Sequence, residues 1–382
     1  MTALASQAAA GERLLSAKRL VVKIGSALLV DEASGAIGRD WLDALGDDVA
    51  ECRRRGQEVL IVTSGAIAVG RRHLGLDSGK LRLEEKQAAA ATGQIQLAHA
   101  YQETLARHRI TVAQILLTLG DTEERRRHLN ARSTIAALLR LDTVPVINEN
   151  DTVATSEIRF GDNDRLAARV AAMISADALI LLSDIDGLYS ADPRRDAKAR
   201  FIPEIREISS EIESMAGEAP PGYSSGGMVT KLAAARIAVG AGCRMAIANG
   251  RRLNPLKAIA EGAPCSWFLP AANPLTARKR WIAGSLKPVG ALTVDAGALK
   301  ALMGGRSLLP AGVASVEGEF ERGDAVRVLS PDGREVARGL SAYSAADARR
   351  IMRHKSGEIE ALLGYRGRDE MIHRDDLVLT QT

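Results

Sequence analysis

Up to about residue 270, short apolar runs alternate with longer segments of helical composition. The apolar runs open the segments 20–30, 58–70, 111–118, 143–151 and 177–193. The helical segments lie between them, at 40–55, at 84–108 and, with many charges, from 119 to about 140. Strands that alternate with helices of this length are typical of a mostly parallel sheet with helices on both faces. The pattern therefore predicts an α/β fold.

Small or polar residues follow four of the predicted strands at the point where each strand ends. They are Gly25 and Ser26, Ser64 and Gly65, Asn148 to Asp151, and Ser183 and Asp184. In parallel α/β sheets, ligands bind beyond the carboxyl ends of the strands. We therefore expect these four strand ends to line one shared cleft.

The pattern changes after about residue 270. Residues 269–288 are rich in Pro, Ala and basic residues and predict a linker that leads into a new domain. Beyond it, short Val-rich runs alternate with Gly-Asp and Asp-Gly turns, which is typical of a small β-barrel or sandwich. The first residues are expected to form a frayed or helical extension. The predicted segments are the extension (1–17), the α/β domain (18–275), the linker (276–288), the β-rich domain (289–370) and a tail (371–382).

Composition is that of a globular protein large enough for two domains. Of the 382 residues, 46% are hydrophobic and 26% are charged. The formal charge is only +4 and no long basic run occurs, so nucleic-acid binding is not indicated. Three separated cysteines without metal-ligand spacing favour a reducing cytoplasm. No apolar stretch reaches the length of a membrane span, and the first residues lack the charge order of a signal peptide.

A glycine-containing loop leads directly into an Ala-rich helical run and suggests a phosphate site. Its residues are Ser225, Gly226, Gly227, Met228, Val229, Thr230 and Lys231. The start of a helix attracts anions, and Lys231 adds a full positive charge at the same place. The loop is not a Walker motif, and taken alone it is also compatible with an ordinary turn.

Lys23 lies inside the first apolar run. A buried lysine is costly without an anionic partner, so it either reaches solvent at the strand end or meets an anion. In the second case it would approach phosphate groups opposite Lys231. Two lysines that converge on a transferring phosphoryl group would supply electrostatic stabilisation of its transition state.

Two clusters of amides and carboxylates suit an amino-acid ligand. Asn148, Glu149, Asn150 and Asp151 directly follow an apolar strand, and a carboxylate there could accept from a substrate ammonium group. Gly161, Asp162, Asn163 and Asp164 precede a helical run, where an acidic helix start is the plain alternative. The surplus carboxylate could instead orient the two lysines or hold Mg²⁺ through water.

The remaining strand ends give weaker signals. Ser183 and Asp184 open a loop of turn-forming residues that could line a nucleotide pocket or form an exposed turn. The turns at Gly25-Ser26 and Ser64-Gly65 could offer N–H groups and hydroxyls to a ligand, or serve only as helix caps. No Ser-His-Asp or metal-ligand pattern can be defined among the six histidines and their neighbours.

Taken together, these segments resemble the amino acid kinase family, and within it the branch that phosphorylates the side-chain carboxylate of L-glutamate. The C-terminal segments 290–298, 307–313 and 320–328 are similar to a PUA domain. The residues that carry the kinase resemblance are VVKIGS (21–26), VTSGAIAVG (62–70), PVINENDTVA (145–154), FGDNDRLAA (160–168), LLSDIDGLYSADPR (181–194) and SGGMVTKLAAA (225–235).

The resemblance implies transfer of the γ-phosphate of ATP, with Mg²⁺, to glutamate, in a homo-oligomer (dimer or tetramer) inhibited by proline. It implies that Lys23 and Lys231 hold the phosphates and that Asp164, with Asp162, organises the lysines. The implied glutamate-binding residues are Ser64, Asp151 and Asn163, with Asn148 and Glu149 nearby. The implied ATP-binding residues are Lys23, Ser183, Asp184 and the loop 225–231. No metal ligand is assigned.

This mechanism needs no catalytic histidine, because a carboxylate nucleophile is already ionised at neutral pH. Two alternatives remain open from the sequence. One is a sibling kinase that acts on acetylglutamate or aspartate. The other is an RNA-binding protein that acts through the PUA-like domain, although the scattered arginines and few aromatics of that segment do not favour RNA.

Overall fold

A computed structural model of the chain describes residues 10–31, 34–76, 79, 81–153, 163–216, 227–284 and 287–380. The chain divides into two compact units, Met1–Pro274 and Leu275–Thr382. Among the described residues, no helix is long and apolar enough to cross a membrane.

An eight-stranded sheet forms the centre of the N-terminal unit. Its strands and those of a small ribbon are β1 (Arg19–Ile24), β2 (Glu58–Val62), β3 (Val112–Leu117), β4 (Val144–Glu149), β5 (Ala178–Ser183), β6 (Leu188–Tyr189), β7 (Phe201–Ile202), β8 (Glu204–Ile205), β9 (Arg244–Asn249) and β10 (Cys265–Phe268). The order in the sheet is β3-β4-β2-β1-β5-β9-β10-β8, while β6 and β7 form the separate ribbon. Neighbouring strands are parallel except for β9 and β10. The predicted mostly parallel α/β sheet is confirmed.

Helices cover both faces of this sheet. They are α1 (Ser26–Leu29), α2 (Arg39–Arg54), α3 (Ala66–His73), α4 (Leu83–Ala106), α5 (Leu119–Glu123), α6 (Arg125–Arg140), α7 (Asn163–Met173), α8 (Ser210–Ser214), α9 (Met228–Gly240) and α10 (Pro255–Ala260). The single charged helix predicted after β3 is two helices, because the backbone of Glu124 is extended between α5 and α6.

The alternation of side chains along β1 places Lys23 on a particular face of the sheet. Leu20, Val22 and Ile24 belong to the apolar cluster that packs against α2 and α4. Val21 belongs to the second cluster, which packs against α7 and α9. Since successive residues of a strand point to opposite faces, Lys23 lies on the same face as Val21. The strand thus directs this lysine toward α7 and α9.

The N-terminal extension is partly integrated into the N-terminal unit. Residues 10–15 are helical, and Leu14 is fully buried in the cluster with α2 and α4. The side-chain amide of Gln57 donates hydrogen bonds to the carbonyls of Leu14 (3.0 Å) and Ala17 (2.6 Å). The first residues were expected to be either frayed or helical. Residues 10–15 are helical and pack against the core.

The C-terminal unit contains a five-stranded mixed sheet with the order β12-β11-β13-β14-β15. Its strands are β11 (Gly290–Val294), β12 (Val313–Gly318), β13 (Ala325–Leu329), β14 (Glu335–Leu340) and β15 (Leu377–Leu379). Its helices are α11 (Pro274–Gly284), α12 (Ala296–Met303), α13 (Ala345–Ile351) and α14 (Ile359–Leu363). The predicted β-rich character of this unit is confirmed.

Helix α11 covers most of the segment expected to be a linker, 276–288. Proline is well tolerated in the first turn of a helix, and the Leu, Ala, Arg and Lys residues that follow Pro274 favour continuation. Arg278 of this helix donates from Nε to Oδ1 of Asp376 over 3.0 Å, and both side chains are nearly buried. This ion pair ties α11 to the short turn that directly precedes β15.

Candidate active site

Two buried lysines meet one buried carboxylate at the carboxyl edge of the large sheet. Nζ of Lys23, near the end of β1, lies 2.7 Å from Oδ1 of Asp164. Nζ of Lys231, in the first turn of α9, lies 3.0 Å from Oδ2 of the same residue. The lysine side chains are 8% and 7% exposed, and Asp164 is fully buried. Lys23 therefore does not reach solvent but is held by an anion.

The charge of Asp164 depends on the two lysines. Burial acts to raise the pKa of its carboxyl group, but the charges and hydrogen bonds of Lys23 and Lys231 act to lower it and prevail. The pKa of Asp164 stays below its ordinary value, so this carboxyl group is ionised. With both lysines protonated, the three side chains carry one net positive charge, which favours an anionic ligand beside them.

The start of α9 brings main-chain donors to the same place. Gly227 is the N-cap residue and has no side chain that could cap the first turn, so N–H groups there stay available for an anion. The hydroxyl of Thr230 donates to the carbonyl of Gly227 over 2.8 Å and lies 3.5 Å from Oδ2 of Asp164. Val229 is about half exposed. Ser225 and Gly226, which were predicted to bind phosphate, lie outside the described residues.

A cluster of amides lies beside the lysines, where β2 and β4 end. Nδ2 of Asn163, the first residue of α7, lies 2.8 Å from the carbonyl oxygen of Thr63, 2.8 Å from Oγ of Ser64 and 3.0 Å from Oδ1 of Asn148. Because β2 and β4 are neighbours in the sheet, their ends bring Ser64 and Asn148 together. Three of the residues predicted to bind glutamate are thus in direct contact.

Helix α4 supports this cluster with residues that the sequence patterns did not identify. Nδ2 of Asn148 donates to Oε1 of Gln94 over 2.7 Å, and both side chains are buried. The hydroxyls of Tyr101 and Thr63 share a hydrogen bond of 2.8 Å. A signal does exist in the sequence, since Gln94 is a polar residue on the apolar face of a predicted helix, one turn from the buried Leu97.

Asp151 lies just beyond β4 and is half buried. Burial raises the pKa of its carboxyl group from 3.8 to about 6. Glu149, the last residue of β4, is also half buried, and its N–H donates to Oδ1 of Asn148 over 2.9 Å. Asp162 lies outside the described residues, so the structure does not place it.

The fourth strand end lies on the other side of β1. Ser183 is buried at the end of β5, and its hydroxyl donates to Oδ1 of the exposed Asp184 over 3.1 Å. The carbonyl of Ser183 accepts from the N–H of Gly250, which follows β9, over 2.7 Å. The neighbouring strands β4, β2, β1 and β5 therefore end in the predicted polar residues along one edge of the sheet.

One turn at this edge requires glycine. Gly65 has a φ of +103°, a conformation that residues with a side chain rarely adopt. A Cβ atom at this position would also lie 2.9 Å from Cγ2 of Val30. The tight turn places Ser64 next to the start of α3.

The described residues contain no group of three or more His, Cys, Asp or Glu side chains that could hold a metal ion. Both oxygens of Asp164 already face lysine ammonium groups. The donors of this edge therefore fit an anion or an amino acid better than a metal held by protein ligands alone.

Comparisons with known proteins agree with this geometry. Residues 18–249 match the amino acid kinase family, and residues 290–363 match the PUA domain. The chain therefore belongs to the amino acid kinase family, with a C-terminal PUA domain.

Relatives are similar to the chain over nearly its whole length. It is 66% identical to the glutamate 5-kinase of Paramagnetospirillum magneticum, covering 96% of this chain and 99% of that protein. The glutamate 5-kinase of Agrobacterium fabrum is 62% identical, covering 96% of this chain and 94% of that protein. That of Rhodospirillum rubrum is also 62% identical, covering 94% of this chain and 96% of that protein.

Proposed function

We propose that the chain is an ATP-dependent glutamate 5-kinase. It would transfer the γ-phosphoryl group of ATP to the side-chain carboxylate of L-glutamate and form L-glutamyl 5-phosphate, the first step of proline biosynthesis. The observation that carries this proposal is the pair of lysines on buried Asp164, directly beside the amide cluster. Relatives of 60–66% identity that are named glutamate 5-kinase support the same reaction.

The phosphate groups of ATP would lie between Lys23, Lys231 and the start of α9. A glutamate carboxylate oxygen would attack the γ-phosphorus, and the bond from that phosphorus to the oxygen bridging to ADP would break. The nucleophile is already ionised, so no general base is required. The two ammonium groups would stabilise the negative charge on the transferring group, and their fixed positions avoid reorganisation during the reaction. Asp164 would hold both lysines in place.

The amide cluster would bind glutamate, and the end of β5 would bind ATP. Ser64 and Asn163 offer a hydroxyl and an amide to the substrate, while the carboxylate of Asp151 would attract its ammonium group. Asn148 and Glu149 would complete this subsite. Ser183 and Asp184 would contact the nucleotide, and Asp162, Ser225 and Gly226 keep the roles that the family resemblance implies for them.

The family implies ATP as a substrate, and Mg²⁺ would enter with it. Mg²⁺ in such sites is usually bound by substrate phosphates, water and one or two carboxylates. The described residues fit this arrangement, because they offer no cage of carboxylates and Asp164 is engaged by lysines. The ion would neutralise part of the phosphate charge. Lys23 and Lys231 would bind the remaining phosphate oxygens.

The test is formation of an acyl phosphate by the purified chain with ATP, Mg²⁺ and glutamate, trapped as a hydroxamate with hydroxylamine. N-acetylglutamate and aspartate run in parallel. Hydroxamate from glutamate alone supports the proposal. Hydroxamate only from another acid would keep the mechanism and overturn the substrate, and no hydroxamate from any acid would overturn the kinase function.

We further propose that the protein is a homo-oligomer and that proline inhibits it by competing with glutamate. Proline also carries an α-carboxylate and an ammonium group, which the amide cluster and Asp151 could bind. Light scattering tests the oligomer, and a monomer would contradict it. Proline should raise the KM for glutamate without lowering kcat. Inhibition that lowers only kcat would contradict a shared subsite.

A further inference from the structure

Three side-chain amides form a continuous chain of hydrogen bonds from helix α4 to Ser64. Oε1 of Gln94 accepts from Nδ2 of Asn148 over 2.7 Å. Oδ1 of Asn148 accepts from Nδ2 of Asn163 over 3.0 Å. Nδ2 of Asn163 also lies 2.8 Å from Oγ of Ser64 and 2.8 Å from the carbonyl oxygen of Thr63, so its two hydrogens are shared among three acceptors. Within this chain of hydrogen bonds, Gln94 is the residue separated from the lysines by the largest number of contacts. The proposed reaction gives it no role.

Main-chain groups fix the direction of every bond in this chain. The carbonyl of Thr63 can only accept, so the group of Asn163 that faces it must be the NH₂ group. The N–H of Glu149 can only donate, so the group of Asn148 that faces it must be the oxygen. The NH₂ group of Asn148 must then face Gln94, whose side-chain oxygen accepts the hydrogen bond. The assignment of these amides is therefore set by the backbone.

This direction determines what the site offers to a ligand. The NH₂ group of Asn163 cannot accept a hydrogen bond, so Oγ of Ser64 is the acceptor in this contact and its hydroxyl hydrogen can be donated to a carboxylate oxygen. Oδ1 of Asn163 is buried and, among the described residues, has no hydrogen-bond partner. An acceptor without a partner at this position suits the ammonium group of an amino acid.

Gln94 supplies the acceptor that keeps Asn148 in place. Asn148 is 2% exposed and Gln94 is 8% exposed, so water cannot readily replace a lost partner. The close approach of α4 to α3 delivers Gln94 to this point. Cβ atoms added at Gly70 and Gly93 would lie 1.8 and 1.9 Å from carbonyl oxygens of the facing helix, so only glycines permit this contact.

We propose that Gln94 is a positioning residue that acts through Asn148 and Asn163 to set the affinity for glutamate. The inference rests on the proposed function. Without the oxygen of Gln94, the NH₂ group of Asn148 loses its acceptor, and the bond from the N–H of Glu149 is left to hold the Asn148 side chain. Asn148 is then less firmly fixed, and so is the Asn163 amide that donates to it. Glutamate binding weakens, while the lysines and the start of α9, which hold ATP, are unaffected.

The test compares Gln94→Met, which keeps the length of the side chain but removes the acceptor, with Gln94→Glu, which keeps an acceptor oxygen. Gln96→Met on the exposed side of the same helix is the matched control. Gln94→Met should raise the KM for glutamate by about tenfold, with kcat and the KM for ATP near the wild-type values. Gln94→Glu should restore most of the affinity, and Gln96→Met should match the wild type.

A double-mutant cycle shows whether Gln94 acts through Asn148. In an Asn148→Leu background, Gln94→Met should raise the KM for glutamate no further, because the bond it removes is already absent. Equal effects in both backgrounds, or a wild-type KM for Gln94→Met alone, would overturn the positioning role. Failure of the wild-type protein itself to phosphorylate glutamate would instead overturn the proposed function.

Discussion

Asp164 is the residue on which the proposed chemistry depends, although it need not touch a substrate. Burying a carboxylate charge without a partner costs free energy, because the group loses its hydration. The two lysines offset this desolvation cost at Asp164. In return, one side chain fixes two ammonium groups that come from different elements, β1 and α9. Preorganised charge of this kind stabilises a transition state more effectively than mobile surface lysines can.

Lys231→Met tests the catalytic role of this charge. The variant should lower kcat by roughly 100-fold to 1000-fold, the usual effect of removing one such donor, with a smaller change in the KM for glutamate. Lys257→Met is the control, because the side chain of that lysine is 65% exposed and its ion pair within the described residues is with Glu261, which directly follows the same helix. A kcat near the wild-type value for Lys231→Met would contradict the assignment.

The pKa of Asp151 predicts a pH dependence of glutamate binding. Burial raises this pKa from 3.8 to about 6 in the unliganded protein, so the carboxyl group is protonated below about pH 6 and ionised above it. Only the ionised form attracts the substrate ammonium group. The KM for glutamate should therefore rise as the pH falls through about 6, approaching tenfold per pH unit.

Asp151→Asn should have a higher KM for glutamate throughout and no inflection near pH 6. The measurement is the KM for glutamate from about pH 5 to about pH 8, with the KM for ATP measured alongside. The same inflection in wild type and variant would assign the titration to another group.

The sequence predicts a residue of the site best where an unusual side chain interrupts a regular pattern. Lys23 stands out because it is a lysine in an apolar strand, and the buried anion that it requires is present. Gln94 was missed because the same helix carries many other polar residues, and only its position one turn from Leu97 distinguishes it from those that face solvent. Its partner Asn148 is 54 residues away, and contacts over such separations follow from tertiary packing rather than from local pattern.

At the scale of elements, the close contact between α3 and α4 would position the proposed glutamate subsite. Gly93→Ala should lower the free energy of unfolding by at least about 2 kcal/mol, because its Cβ atom would lie 1.9 Å from the carbonyl oxygen of Ala66 and the helices must separate. It should also raise the KM for glutamate, since Gln94 follows directly in the chain. Urea unfolding and steady-state kinetics measure the two effects.

Gly240→Ala at the exposed end of α9 is the control, because a Cβ atom there meets nothing within 4 Å. We expect it to be neutral or to stabilise by up to about 1 kcal/mol. Equal stability of the two variants would show that α3 and α4 can separate without cost.

Strand order shows where sequence pattern ends and tertiary structure begins. Alternation of apolar runs and helices predicts a parallel sheet, and the four polar strand ends predict its ligand-binding edge. The placement of β5 between β1 and β9 is a consequence of how crossover helices pack, and no local signal specifies it. The helix α11 was missed for a different reason, since its Pro and basic residues also suit a linker.

For the whole molecule, the division into two units predicts that catalysis belongs to the first. Among the described residues, the two apolar clusters of the large sheet contain none beyond Leu269, and the third cluster begins at Leu292. All the site residues in the described part of the chain also precede Pro274. A chain that ends at Pro274 should therefore fold and keep a kcat within roughly threefold of the full-length value. Loss of cooperative unfolding in this shortened chain would contradict the division.

The central claim is that a glutamate carboxylate oxygen attacks the γ-phosphorus of ATP between Lys23 and Lys231. Glutamate labelled with heavy oxygen in its side-chain carboxylate tests this directly. Hydroxylamine attacks the carbonyl carbon of an acyl phosphate, so the released phosphate keeps the bridging oxygen, which phosphorus NMR detects by its isotope shift. The account predicts one labelled oxygen in each released phosphate. Unlabelled phosphate, as in attack by water on ATP, would contradict it.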